Sequence, residues 1–186
     1  MKKGMDTTMY PVIPAVRRNE ELSLALSSPS ETIFLLKTGI FDLPDALRAA
    51  HKAGKKLFVH ADFTDGVSRD VHGVNFLRSI GCDGIISTRA NLVKYASEAG
   101  LCSVGRYFVI DSRATDTALE SISQTSPSMI EIMPGVIPKI ITRFVTETDI
   151  PVIAGGLIEN EREVRAAVAA GAAAVSASDA SLWNIF

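Results

Sequence analysis

Four groups of residues in this chain have types and spacings suited to chemistry. Glu131 sits inside the apolar run "MIEIM" (129–133), and Arg106 sits inside "SVGRYFVI" (103–110). A lone charge in such a run is costly unless something pairs with it, so Glu131 calls for Arg106 or a ligand hydroxyl as its partner. His60 and Asp62 flank Ala61 at the end of "LFVHA" (57–61). At strand spacing the two would point the same way, ready to hold the polar part of a ligand or to do acid–base work. The alternative is a hydrogen-bonded pair that closes one end of the fold. The third group is the adjacent pair Gly155 and Gly156, which ends "PVIAGG" with no nucleophile, base or metal ligand nearby. The fourth is Ser176 and Ser178, two apart in "AVSASD". Backbone N–H groups uncovered by side chains can approach phosphate oxygens, and two hydroxyls can donate to the same anion. The bland alternative makes the glycines a turn and the serines a cap.

Short apolar runs recur along the whole chain: 12–16, 32–36, 57–61, 84–87, 103–110, 129–133, 151–155 and 173–177. Sharing 186 residues among eight runs leaves about 23 for each, close to the least that a strand, loop and crossover helix occupy. Between the runs lie amphipathic segments. "LPDALRAAHKAG" (43–54) places Leu43, Ala46, Leu47 and Ala50 on one stripe and stops at Gly54. "VIPKIITRFVTET" (136–148) and "EREVRAAVAAG" (161–171) repeat the pattern. Buried strands alternating with such helices make βαβ units and a parallel sheet. Eight units predict an α/β fold: a compact (β/α)8 TIM-type barrel, one domain over residues 1–186, with a shortened last helix in "DASLWNIF". A doubly wound open sheet is the competing architecture, but the first turn, "VRRNEE", lacks the glycines that fold favours.

In such barrels the loops after the strands carry function, and those after strands seven and eight, with a short extra helix, often hold phosphate. Gly155, Gly156, Ser176 and Ser178 fall in those two loops, and the short final helix would add its positive end. Lys37, Thr88, Arg89 and Asp111 also stand just past apolar runs. His51 and His72 fall on helices, where solvation or capping explains them.

Nineteen basic against 21 acidic residues give a net charge of −2, so any nucleic-acid contact needs a local basic patch. The basic residues fall in small groups: Lys2 with Lys3, Arg17 with Arg18, Lys55 with Lys56, Arg89 with Lys94, and Lys139 with Arg143. Each group is also readable as a solvated face, and the sequence shows no exposed-aromatic RNA signature of the usual kinds. Cys82 and Cys102 lack CxxC spacing and read as reduced thiols. "MKKGMDTTMYPVIPAV" has no long apolar stretch after its lysines, and no run approaches the ~20 residues of a membrane span, which predicts a cytoplasmic protein. No His, Asp and Glu spacing indicates a metal.

The stretches "FVHADFTDGVSRD" (58–70), "DGIISTRANLVKYASEAGL" (83–101), "GRYFVIDS" (105–112), "IEIMPGVIPKII" (130–141), "PVIAGGLI" (151–158) and "AVSASDASLW" (174–183) together resemble the glycerol-3-phosphate-responsive antiterminator family. "EIMPGVIPKI" and "VHADF…DG" are the most specific of these. The resemblance implies a non-enzymatic regulator with no cofactor. Its members respond to glycerol 3-phosphate and act on leader mRNA so that transcription passes a terminator upstream of glycerol-utilisation genes. Barrel geometry then seats the phosphate on Gly155, Gly156, Ser176 and Ser178. The glycerol end meets Asp62, Arg106, Glu131 and His60. RNA phosphates would meet Arg89, Lys94, Arg113, Lys139 and Arg143, with homo-oligomer formation left open. The rival from another class is a phosphosugar isomerase or lyase using Glu131 and Asp62 as its acid–base pair. A third reading is a ligand-responsive module acting through a protein partner.

Overall fold

A computed structural model describes residues 10–186. Lys2 and Lys3 lie outside the described residues. The eight apolar runs become eight parallel strands: β1 Val12–Val16, β2 Thr32–Leu35, β3 Lys56–His60, β4 Gly84–Ser87, β5 Cys102–Phe108, β6 Met129–Met133, β7 Val152–Gly155 and β8 Ala174–Ala177. They follow one another around a closed barrel, and β1 pairs with β8 through Val12↔Val175 and Ile13↔Ser176. Seven α-helices intervene: α1 Leu22–Leu26, α2 Leu43–Lys52, α3 Val71–Ser79, α4 Ala90–Glu98, α5 Ser112–Thr125, α6 Pro138–Glu147 and α7 Glu161–Ala169. After β8 only a 3-10 turn, Ala180–Leu182, stands in place of an eighth helix. Trp183 seals that end, buried, with its indole N–H donating to Ala177 O at 2.8 Å.

The two faces of each strand serve different cores, because side chains alternate. Val12, Ile33, Leu35, Leu57, Val59, Ile85, Ile132 and Val175 point outward and pack with helix residues such as Leu47, Leu92 and Phe144. Ile13, Phe34, Phe58, Ile86, Val104, Met129, Ile153 and Ala174 form a second cluster with no helix residue in it, the filling of the barrel. Phe34 and Phe58 stack there with ring centroids 5.8 Å apart. Gly84 is bare because a Cβ would stand 2.6 Å from the Phe58 ring.

Two further pieces of strand cross the top. Thr38–Gly39 and Thr64–Asp65, from the loops after β2 and β3, pair in parallel as a small separate ribbon. Among the described residues, no helix is long and apolar enough to cross a membrane.

Candidate functional site

Continuing the inward alternation one step above the apolar filling brings His60 above Phe58, Arg106 above Val104, Glu131 above Met129 and Ser176 above Ala174. All four are buried, so the barrel changes from an apolar floor to a polar layer at its C-terminal mouth. Arg106 and Glu131 face each other in the β5–β6 register. Arg106 Nε donates to Glu131 Oε2 at 2.5 Å, and the Ser176 hydroxyl donates to Oε1 of the same carboxylate at 2.5 Å. The buried glutamate therefore has the partner its setting demands. Gly155 completes this layer by leaving space: a Cβ there would collide with Glu131 Oε1 and Ser176 Oγ.

Above the layer opens a cavity of about 170 Å³, walled by Arg17, Leu36, Arg106, Glu131, Gly156 and Ser178 among others. Gly156 takes φ +75° and the following Leu157 takes φ +60°. Glycine adopts this left-handed region freely, whereas leucine is strained there by roughly 1–2 kcal/mol. Leu157 nonetheless stays largely exposed at the rim. The turn is braced from β6: Gly135 N donates to Gly155 O at 2.6 Å and to Gly156 O at 3.1 Å. Only a glycine permits that approach, since a Cβ on Gly135 would stand 2.7 Å from Gly155 N. The "MPG" of the most specific sequence stretch thus shapes the Gly-Gly loop.

Arg17 is the cavity residue that the sequence reading passed over. It was visible only as half of a basic pair, yet it is the first residue past the first apolar run. Its guanidinium donates to the Ser178 hydroxyl, tying the loop after β1 to the loop after β8.

His60 and Asp62 depart from expectation. β3 ends at His60, and Ala61–Phe63 turn as a 3-10 segment, so Asp62 does not share the strand's facing. Its carboxylate accepts from Ser87 Oγ, Thr88 N and Thr88 Oγ1, each at 2.8 Å, and lies 3.6 Å from Arg89 Nε. Burial alone would raise the Asp62 pKa, but the Thr88 backbone N–H and the Ser87 and Thr88 hydroxyls outweigh it and hold the carboxyl below its ordinary value. Asp62 therefore fastens the loop after β4 and does not line the cavity. His60 is also absent from the cavity wall, covered by Phe63 with ring centroids 4.7 Å apart. Among the described residues neither ring nitrogen has a hydrogen-bond partner. Burial, with the nearby Arg106 charge, drives its pKa down to about 4, so the ring is neutral at neutral pH. At the short final turn the Ser181 N–H is already taken, donating to the capping Asp179 carboxylate at 2.9 Å.

The five basic residues assigned to RNA separate into two sets. Arg89, Arg113 and Lys139 lie at or near helix starts, which in this fold face the C-terminal mouth. Lys94 lies 4.0 Å from Glu98 within α4. Arg143 is held at 2.8 Å by both Glu147 and Asp116 on the flank of the barrel. A second and larger hollow of about 540 Å³ runs beside Thr88, Phe108, Ile110, Arg113 and Thr117, and Arg106 lines it as well as the first.

Residues 12–183 match the family of glycerol-3-phosphate responsive antiterminators, and the chain belongs to that family. The crystal structure of a glycerol uptake operon antiterminator regulatory protein from Listeria monocytogenes superposes with a TM-score of 0.90, at 33% identity and 98% coverage of both chains. A glycerol uptake operon antiterminator-related protein from Thermotoga maritima gives 0.85 at 29% identity, covering 95% of this chain and 99% of that one. An uncharacterized Escherichia coli protein, YgcP, is 34% identical over 176 residues, 94% of this chain and 92% of its own length.

Proposed function

We propose that this member of the antiterminator family binds glycerol 3-phosphate in the cavity at the barrel mouth and, in that state, engages leader mRNA as a non-enzymatic regulator in the cytoplasm. The observation that carries the reading is the composition of one small cavity: two arginines, a bared glycine turn and two serines around a single buried carboxylate. A phosphate monoester suits the Arg17, Gly156 and Ser178 side, where backbone N–H, hydroxyl and guanidinium donors converge. The glycerol hydroxyls suit Arg106, Glu131 and Ser176. A volume of about 170 Å³ falls below the ~300 Å³ lower end of drug-sized pockets, which favours a short phosphate ester over a nucleotide.

Asp62 and His60 belong in this scheme behind the ligand. Asp62 holds Thr88 and Arg89 in place, and neutral His60 stands next to Arg106. Gly155 contributes space above Glu131 more than a donor.

The enzyme reading needs Glu131 and Asp62 as an acid–base pair. It is disfavoured because only Glu131 walls the cavity, while Asp62 is held outside it by Ser87 and Thr88. Among the described residues no lysine is buried and none walls the cavity, which gives a Schiff-base route no support.

Calorimetric titration of glycerol 3-phosphate tests the proposal, with Arg17→Ala as the control. Arg17 is exposed, so its loss spares the fold. Binding by the parent chain, weakened at least tenfold in the variant and without turnover of triose or glycerol phosphates, is the expected result. No heat with the parent chain, or conversion of a triose phosphate, removes the reading.

A further inference from the structure

Among the described residues eight large apolar side chains are exposed. Five of them, Phe41, Phe63, Phe108, Ile110 and Leu157, lie in the segments at or after the ends of β2, β3, β5 and β7, around the mouth. Leu24, Val71 and Phe186 lie on α1, at the start of α3 and at the last residue. Aromatic rings on a cation-bearing face are the pattern used to bind single-stranded nucleic acid, and the fold assembles it from loops far apart in sequence. Charge divides that face. Asp42 and Asp65 lie close in sequence to Phe41 and Phe63, whereas Arg113 lines the same hollow as Phe108, and Arg89 directly follows Thr88 of its wall. On the Phe108 side the carboxylates are engaged: Asp62 is buried under Ser87 and Thr88, and Asp111 caps α5 by accepting from Ala114 N at 2.7 Å. Arg113 is exposed with no carboxylate partner among the described residues, and the Arg89 side chain is half exposed.

We infer that the hollow of about 540 Å³ beside Phe108 is the seat of an unstacked base of single-stranded RNA, with Phe108 as the stacking platform and Arg89 and Arg113 on the flanking phosphates. Thr88, Thr117 and Ser121 offer hydroxyls to the base edge, and Ala114 and Ala118 supply a flat apolar wall. This rests on the regulatory reading above and adds to it the surface and its link to the ligand. Arg106 lines both this hollow and the ligand cavity, so an occupant that redirects Arg106 changes the floor of the base seat. Differential affinity of the ligand for the RNA-competent arrangement is what such a link requires.

The test uses a randomised single-stranded RNA pool on the full chain, with and without glycerol 3-phosphate, read by filter retention and by ultraviolet crosslinking. Phe108→Ala is expected to lower RNA affinity about tenfold or more, the loss of one base stack, while its calorimetric titration with glycerol 3-phosphate stays that of the parent. Arg113→Glu is expected to weaken binding and flatten its salt dependence. Parent-like retention by both variants, or crosslinks confined to the flanks or floor of the barrel, overturns the inference and leaves the regulatory reading standing. A parent chain that retains no RNA in either state overturns both. If Phe108→Ala leaves RNA retention unchanged but converts a dimer to a monomer in sedimentation, the hollow is the seat of a second copy of this chain, and the RNA assignment falls.

Discussion

Arg106 and Glu131 stand opposite one another on adjacent parallel strands, and their side chains meet at 2.5 Å inside the barrel, each nearly closed to solvent. Such a pair is poor evidence of net stabilisation, because removing both charges from water is costly, but losing one partner strands the other. Arg106→Met is therefore expected to destabilise the fold by about 3–5 kcal/mol, and Arg106→Met with Glu131→Leu by distinctly less. Urea unfolding of the two variants and the parent measures the difference. Equal loss in the single and double variants would show that the cost does not come from stranding the Glu131 charge.

Gly155→Ala tests the space above this pair. The added methyl falls on Glu131 Oε1 and Ser176 Oγ in a layer with no slack. Overpacking of this kind costs roughly 1–3 kcal/mol. Glycerol 3-phosphate titration of the variant, at a temperature where it remains folded, is expected to show loss of binding.

Acid stability should fall in two stages. His60 has a folded pKa of about 4, depressed from 6.5 by burial and then by Arg106, so the unfolded chain takes up a proton that the folded chain refuses. Its contribution is whole above about pH 6.5 and drains away down to about pH 4, on the order of 3 kcal/mol. Asp62 also has a lowered folded pKa, so its contribution is present above the unfolded carboxylate value and is lost only as pH falls further. Denaturation midpoints of the parent should decline from pH 7 to pH 4 and again below the ordinary carboxylate range, and His60→Gln should flatten the first stage while keeping the second.

Asp62→Asn keeps the size of the side chain but replaces an oxygen that accepts from Thr88 N and Thr88 Oγ1 at 2.8 Å with a group able to donate. The Ser87–Arg89 loop should loosen, with stability lower by about 1–3 kcal/mol. Hydrogen exchange should rise at the Thr88 and Arg89 amides while the β5 and β6 amides remain protected. Uniform loss of protection would assign Asp62 to the global fold.

The fold was legible because its instructions are local and repeated. Each strand is an apolar run, each helix between them carries one apolar stripe, and a repeat of about 23 residues leaves room for little besides a βαβ crossover. All eight runs became barrel strands, and the three helices read from their stripes formed within two residues of each expected boundary. Glu131 and Arg106 were legible for a different reason. A charge inside an apolar run must be paired, and few candidates exist.

What the sequence could not decide is how a loop turns once a strand has stopped. His60 and Asp62 are two apart in either conformation, and only the 3-10 turn over Ala61–Phe63 sends the carboxylate to Ser87 and Thr88 instead of the cavity. Nor could it decide which of 19 basic residues meet. Arg17 reaches Ser178 across 161 positions because barrel closure sets β1 against β8, and Arg143 is taken up by Asp116 on a neighbouring helix. Period and composition act over a few residues and determined the elements. The site and the aromatic face are sums over strand ends that come together only when the barrel closes.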